Sequence, residues 1–188
     1  MSVRLVRRRG RGALPGRERE SVSRPISLRL RTVNFRPFDD AQLPELMSWI
    51  VDATACQTWG GPDFRFPFSE STFREDSRIG RVPSWVLTDD NSALVAFGQY
   101  YLRIGRCHLG HLAVAPSLRG RGLGSRLIRE LCRTGRNDLG VDSFSLFLLS
   151  SNEPGLRLYQ RLGFCPAPCP DTSPAFESIV YMVASTLP

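Results

Sequence analysis

A glycine-rich bend is the segment of this sequence most suited to chemistry. It lies within residues 112–125, where a predicted strand gives way to a predicted helix. Glycines allow a sharp turn and let a ligand approach the main chain. The first N–H groups of a helix have no partner within the helix, so the start of a helix readily binds phosphate. The arginines that add positive charge here are Arg119, Arg121 and Arg126.

The basic residues narrow the alternatives for this bend. All 25 are arginine, and the chain has no lysine. A P-loop NTPase and a lysine Schiff base are therefore excluded, because both need a lysine. A dinucleotide-binding turn is also excluded, because Ser125 stands at the third glycine position after Gly120 and Gly122, and because the preceding strand belongs to an antiparallel meander. A plain strand–helix turn stays open on the bend alone.

A second motif, farther along the chain, makes the first more specific. Its residues are Asn152, Leu158-Tyr159 and Leu162-Gly163-Phe164. Together with Arg119-x-x-Gly122-x-Gly124 in the bend, this order and spacing resembles the GNAT acetyltransferase superfamily, over about residues 26–183. The resemblance implies an α/β (α+β) fold with a mixed, mostly antiparallel central sheet flanked by helices.

By this resemblance the bend holds the pyrophosphate of acetyl-CoA. The residues implied in binding it are Arg119, Gly120, Arg121, Gly122, Leu123, Gly124 and Ser125. The backbone groups of Leu112, Ala113 and Val114 are expected to pair with the pantetheine amides, as a neighbouring strand would. Asn152 is expected to contact the pantetheine arm or to shape its slot, and a helix N-cap explains an asparagine there equally well.

The resemblance also implies two residues in the chemical step. Tyr159 follows Asn152 by two helical turns, and its phenol is implied to protonate the departing CoA thiolate as a general acid. Many family members have a glutamate base near the start of the strand before the bend, where this chain has His108. A mostly neutral imidazole can take the proton of an attacking amine, directly or through a water. Simple packing is the alternative for both side chains.

The neighbours of His108 raise the question of a metal site. Cys107, His108 and His111 are close in sequence and could suggest a metal site. Strand alternation, however, predicts that His108 and His111 point to opposite faces of the sheet. Cys165 and Cys169 lie far along the chain, in a segment interrupted by prolines. We therefore expect no metal, and we expect ordinary loop cysteines at these two positions.

An aromatic segment is the candidate site for the amine acceptor. Trp59, Phe64 and Phe66 are the predicted substrate-binding residues, with Phe68 nearby and Arg65 as the cation between them. Such a pocket suits an apolar or a carboxylate-bearing amine. Core packing is the commoner role of such aromatics. Further candidates are Gln99, Tyr100 and Tyr101.

The pattern of apolar residues and turns predicts the elements that position these residues. The sequence predicts strands at residues 26–35, 85–88, 94–103, 107–114, 141–149 and 176–183. It predicts helices at residues 39–50, 52–59, 122–136 and 152–162, and a short one capped by Ser69 or Ser71. No internal repeat or second domain is evident.

The charge is concentrated at the N-terminus. Residues 1–25 hold eight arginines and two glutamates, +6 of a net charge of +7, which leaves +1 for the rest. We expect a disordered arginine-rich extension at 1–25 and an acetyltransferase domain at 26–188. The near-neutral body argues against nucleic acid as a partner. Five widely spaced cysteines and the lack of a bilayer-length apolar run predict a cytoplasmic protein without a membrane partner.

These observations predict an N-acetyltransferase that moves an acetyl group from acetyl-CoA to an amine of a small molecule or peptide. The transfer is expected to be direct, with acetyl-CoA as co-substrate. A non-catalytic CoA-sensing or interaction module is the alternative, and a nucleic-acid-binding protein with a basic arm ranks third. The sequence leaves the acceptor, the acyl chain length and a homodimer open.

Overall fold

The computed structural model describes residues 33–170, 177–186 and 188. A seven-stranded sheet organises them in the order β1-β2-β3-β4-β5-β7-β6. The strands are β1 (Asn34–Pro37), β2 (Ser84–Thr88), β3 (Leu94–Arg103), β4 (Arg106–Val114), β5 (Phe144–Leu149), β6 (Cys165–Pro166) and β7 (Ile179–Ala184). Neighbours run antiparallel except for the parallel pair β4 and β5. The predicted fold class is thereby confirmed.

Helices lie on both faces of this sheet. They are α1 (Leu43–Ser48), α2 (Ala53–Gly60), α3 (Glu70–Ser77), α4 (Leu123–Leu139) and α5 (Glu153–Arg161). Helix α4 buries Leu127, Ile128 and Leu131 in the larger hydrophobic cluster, to which α5 also contributes. Helices α1 to α3 form a second cluster with Val86 and Phe97. We call the two sides of the sheet the α4 face and the α2 face.

Short capping interactions start the helices where the sequence predicts. Asp39 forms a capping box with Gln42 before α1, and the Asp52 side chain accepts from the Ala55 N–H at 2.7 Å before α2. Ser69 caps α3. A capped helix start satisfies N–H groups that the helix itself leaves without partners.

Several predicted boundaries differ from the structure. The first strand is described from Asn34 onward, and residues 26–32 of the prediction lie outside the described residues. Helix α4 extends beyond the predicted end, because the next αL residue that can end it is Gly140, with φ 65°. Strand β5 begins at Phe144 rather than 141, and β6, with only two residues, was not predicted. The extension predicted at 1–25 also lies outside the described residues.

Candidate active site

The glycine bend opens the N-terminus of α4 to solvent. Gly120 and Gly122 have φ values of 75° and 79°, which L-residues with a side chain adopt only with strain. Gly122 is the N-cap and provides no side-chain acceptor, and the first backbone bond of the helix runs from Arg126 N–H to Gly122 O at 3.2 Å. The N–H groups of Leu123, Gly124 and Ser125 therefore have no partner within the helix. This geometry suits an anion.

The arginines of the bend are placed differently from one another. Arg119 is exposed, and its Nε donates to the carbonyl oxygen of Val114 at 3.3 Å, which ties the bend to the end of β4. Arg126 donates to the carbonyl oxygen of Val33, so it connects α4 to the residue that precedes β1. Arg121 is exposed on the bend itself. The positive end of the helix dipole adds to their charge.

Next to the bend, strands β4 and β5 part. They pair only from Cys107 to Leu109 and from Phe144 to Leu146. Beyond these pairs β4 continues to Val114 and remains bonded to β3, while β5 continues to Leu149 and remains bonded to β7. The inner edge of residues 110–114 thus faces a gap in the sheet, where an extended chain carrying amides finds backbone partners. Leu112, Ala113 and Val114 lie on this edge, and the pairing of their backbone groups with pantetheine stays a prediction.

Helix α5 borders this gap and holds the second motif. The Asn152 side chain accepts from the Gly155 N–H at 3.0 Å, so the N-cap alternative for this asparagine is confirmed. Its contact with pantetheine stays a prediction. Tyr159 is 9% exposed and packs against Phe164, with ring centroids 6.1 Å apart. Burial raises the pKa of Tyr159 to about 12, so the phenol keeps its proton at neutral pH.

A bulge in β4 overturns the prediction that His108 and His111 face opposite sides. Gln99 pairs with Gly110, whereas Phe97 pairs with Ala113, so β4 has one extra residue. His111 occupies it with φ 49°. Its Nδ1 lies 2.6 Å from Gln99 Oε1, on the α2 face. His108 lies on that face too, beside Tyr101, because strand alternation is reset at the bulge.

Burial makes both imidazoles neutral. His108 is 2% exposed, and its Nδ1 lies 2.9 Å from Ser145 Oγ. Burial, the positive charge of Arg103 and the neighbouring His111 lower the pKa of His108 to about 3. Burial and Arg78 lower the pKa of His111 to about 4. An imidazole with such a pKa accepts a hydrogen bond but is a weak base.

The aromatic residues predicted to bind the acceptor form a packed cluster. Trp59 stacks on Phe73 at 5.2 Å, and its Nε1 donates to the His111 carbonyl oxygen at 3.0 Å. Phe64 is 7% exposed and lies 6.0 Å from the His111 ring. Phe66 is 41% exposed, on the loop between α2 and α3. Trp59 and Phe64 thus hold the bulge in place, and contact between any of the three and an acceptor stays a prediction.

The predicted cation of this pocket is already paired, which corrects its assignment. Arg65 forms ion pairs with Asp76 and Glu75, each at 2.6 Å. These hydrogen bonds raise the pKa of Arg65 and fasten the loop to α3. The charge is therefore balanced by two acids of α3, and Arg65 is not an unpaired cation in this pocket.

The further acceptor candidates divide between the two faces. Tyr100 is fully buried on the α4 face, where its hydroxyl donates to the Asp138 carboxylate, so it is excluded from an acceptor site on the α2 face. Gln99 and Tyr101 lie on the α2 face with the histidines. The structure adds residues to that face that sequence reasoning missed, namely Arg78, Arg103, Ser145, Phe147 and Tyr181. No local motif indicates them, because strand register brings the four strand residues together and Arg78 reaches this face from the end of α3.

The cysteines are divided between the core and the surface. Cys107 and Cys132 are fully buried in the larger cluster, and burial raises the pKa of Cys107 to about 12. Cys165 is exposed, and Cys169 is partly exposed. Within the described residues, no three His, Cys, Asp or Glu side chains are grouped to hold a metal ion. Every described helix is too short or too polar to cross a bilayer.

Comparison with known proteins identifies the family. The model of the acetyltransferase (GNAT) family matches residues 53–164, and the chain therefore belongs to this family. Glucosamine 6-phosphate N-acetyltransferase of Trypanosoma brucei brucei is 36% identical over 75 residues, which cover 39% of this chain. The match covers 48% of that relative, so the chain spans about half of that relative's length.

Solved structures share the fold. The ribosomal-protein-S18-alanine N-acetyltransferase from Escherichia coli matches with a TM-score of 0.57 and 23% identity, over 81% of this chain and 93% of that one. Spermidine N-acetyltransferase from Vibrio cholerae, crystallised with CoA and spermine, matches with a TM-score of 0.62 and 15% identity, over 80% and 94%. At these identities the match concerns the fold alone.

Proposed function

We propose that this protein transfers an acetyl group from acetyl-CoA to an amine. The observation that supports the proposal most is the open helix start beside the parting of β4 and β5. Pyrophosphate would lie on the N–H groups of residues 123–125, with Arg119 and Arg121 nearby. The pantetheine arm would extend along Leu112, Ala113 and Val114 past Asn152. The GNAT family to which the chain belongs supports the same assignment.

Direct transfer needs little more than correct placement of the two reactants. Holding thioester and amine side by side makes the attack nearly unimolecular. Backbone N–H groups of β4 would stabilise the oxyanion that develops on the acetyl group. With a pKa of about 12 the Tyr159 phenol stays protonated, so it would donate a hydrogen bond to the departing thiolate, whose proton would come in the end from the amine through solvent.

The attacking amine must lose a proton. His108 is better suited to pass this proton on to solvent than to hold it. With a pKa of about 3, the imidazole stays neutral at cellular pH and accepts a hydrogen bond from the amine or from a water. The proton then ends in solvent. Positive charge from Arg103 and Arg78 also favours the neutral form of a bound amine.

The proposal extends to partners and location. We propose a small molecule or a peptide as the amine acceptor, in the cytoplasm, and neither a membrane nor a nucleic acid as a partner. The five cysteines described as free thiols fit a reducing compartment. A homodimer would leave this scheme unchanged.

Acetyl-CoA binding and thiol release test the proposal together. At a hundredfold excess over Kd, bound acetyl-CoA adds about 2.7 kcal/mol to the unfolding free energy, a rise in Tm of several degrees. Amines, including peptides with free N-termini, should then release free thiol from acetyl-CoA. Tyr159→Phe should lower kcat about a hundredfold or more while the acetyl-CoA Kd changes less than twofold.

Substitution of an arginine in the bend can be compared with substitution of an arginine on α4, which serves as a matched control. Arg119→Ala is expected to weaken acetyl-CoA binding about tenfold, through the loss of a charge-assisted contact. Arg133→Ala removes an equal charge from an exposed site farther along α4, and it should leave binding unchanged. No Tm shift with acetyl-CoA contradicts the proposal. Binding without thiol release from any amine indicates instead the CoA-sensing module.

A further inference from the structure

A row of four rings crosses the α2 face of the sheet. Tyr101, His108, Phe147 and Tyr181 come from β3, β4, β5 and β7, and successive ring centroids lie 5.1, 4.9 and 5.2 Å apart. Tyr101 pairs directly with His108, and Phe147 pairs with Tyr181. We call these four residues the ring row. It contains His108, the proposed proton relay.

Two guanidinium groups lie over the ring row, one on each side of His108. Arg78 Cζ is 5.0 Å from the centroid of Tyr101, and Arg103 Cζ is 5.0 Å from that of Phe147. Stacking on a ring does not use up the N–H donors of a guanidinium, and Arg103 also hydrogen-bonds the Tyr101 hydroxyl. Within the described chain, neither arginine has a carboxylate partner. The arginines in ion pairs there are Arg65, Arg74, Arg133, Arg136 and Arg157.

Arg78 is held in a backbone conformation that favours glycine. It is the C-cap of α3, with φ 58° and ψ 23°. Glycine is the usual residue at such a left-handed helix end, since it takes this conformation without strain. From this position the Arg78 guanidinium lies over the Tyr101 ring.

Two buried polar atoms on the ring row lack a hydrogen-bond partner among the described residues. They are the hydroxyl of Tyr181, a residue 4% exposed, and Nε of Arg103. Buried polar groups in proteins are nearly always hydrogen-bonded. Both atoms belong to residues that contact the Phe147 ring, and a ligand with oxygen atoms would satisfy the two donors.

We propose that the ring row binds the carboxylate of the acceptor, so that the acceptor is an amino acid or a similar small amine with an acidic group. This inference rests on the proposed acetyl transfer. Arg78 and Arg103 would take the carboxylate through charge-assisted hydrogen bonds, with the Tyr181 hydroxyl as a further donor. Its amine would then lie near His108.

The charge of this face selects against the opposite class of amine. A polyamine carries several positive charges and needs carboxylates to bind it. Apart from burial and the effect of His111 on His108, the groups that lower the pKa values of the two histidines are both arginines. Arg103 acts on His108, and Arg78 acts on His111. Two like charges facing a polycation disfavour its binding. The ring row thus differs in charge from a site suited to polyamines.

Thermal unfolding of the full chain with saturating CoA tests this inference without relying on turnover. The ligands are the twenty common amino acids, each beside its amide, with spermidine as the polyamine. At least one amino acid should raise Tm while its amide and spermidine do not. Arg78→Gly and Arg103→Gln should each weaken that binding tenfold or more. Arg81→Ala removes an exposed arginine three residues from Arg78 and should leave it unchanged.

The variants and a parallel assay make each outcome decisive. Glycine fits the backbone of Arg78, so the Tm of Arg78→Gly without ligand should equal or exceed that of the wild type. Equal shifts by acids and amides, no shift by any acid, or undiminished binding to Arg78→Gly would overturn the inference. Thiol release from acetyl-CoA is measured in parallel. Acid binding without thiol release supports the carboxylate site and overturns acetyl transfer instead.

Discussion

His108 and His111 show how burial determines what a side chain can do. Both are histidines on one strand, and sequence alone gives each a pKa near the ordinary 6.5. In the structure each lies against aromatic rings and near an arginine, and each pKa falls to about 4 or below. The result is a pair of neutral acceptors of hydrogen bonds rather than a pair of strong bases.

These lowered pKa values predict that the protein loses stability in mild acid. A buried histidine binds its proton more weakly in the folded state than in the unfolded state, so stability is full above pH 6.5 and falls as the pH decreases toward 4. Each imidazole contributes a slope of up to about 1.4 kcal/mol per pH unit. Unfolding free energy measured from pH 7.5 to 5 should show this loss.

Single substitutions identify the source of the slope. His108→Gln and His111→Gln should each flatten the profile between pH 6.5 and 5. Hydrogen bonds with Arg65 lower the pKa of Asp76, so this carboxylate also contributes stability that is lost in acid. That loss occurs mainly as the pH falls below 3.8, the ordinary pKa of the group. A profile that keeps its slope in both variants would show that the histidines titrate normally in the folded protein.

Sequence reasoning at the residue scale depends on whether a role is local. The glycines of the bend and the Asn152 cap could be predicted, because each acts on backbone within three residues. Arg78 could not, because its side chain reaches a ring on β3. The aromatic residues on either side of Arg65 favour an acceptor pocket, and sequence reasoning misses its partner Asp76, eleven residues away, because no local pattern indicates the pair.

At the scale of elements, α4 has two tasks that constrain different parts of it. Its first turn is open and forms the proposed anion site, while its later turns pack closely on β3 and β4. A Cβ at Gly135 would lie 2.5 Å from Cys107 Sγ and 3.1 Å from the Tyr100 ring. The helix approaches the sheet here as closely as the backbone allows.

We therefore predict that Gly135→Ala destabilises the protein, against helix propensity. In an exposed helix this change stabilises by about 1 kcal/mol. Overpacking against Cys107 and Tyr100 should instead cost about 1–3 kcal/mol. Cys107→Ala removes the sulfur atom and should recover part of that cost in the double variant, as a double-mutant cycle with chemical denaturation measures. Additive effects would mean that the sulfur is not the obstacle.

Elements whose signals are local could be predicted, and those that depend on pairing could not. Strand β3 has the predicted bounds, because apolar residues fill most of it and turns flank it on both sides. The bulge at His111 could not be predicted from the sequence. A histidine with a left-handed backbone conformation has the same sequence signature as any other strand residue. Strand β6 is too short for a pattern, and it exists only because β7 lies beside it.

At the scale of the whole molecule, the sheet consists of two parts that share only a short seam. Strands β1 to β4 form one part and β5 to β7 the other, and three residue pairs join them, from Cys107 with Phe144 to Leu109 with Leu146. Because the chain has no lysine, the proposed phosphate site at the open end of this seam would consist of backbone amides and arginines. A ligand between the two parts would extend the seam.

This arrangement predicts where acetyl-CoA protects the backbone. Hydrogen exchange should slow at residues 110–114 and 123–125, because bound pantetheine and pyrophosphate would occupy their N–H groups and suppress local opening. Residues 84–88 of β2 are paired on both sides already and should not change. At one acetyl-CoA concentration Arg119→Ala should show less protection than Arg133→Ala. Protection of other segments with none at residues 110–114 would place the ligand outside the gap between β4 and β5.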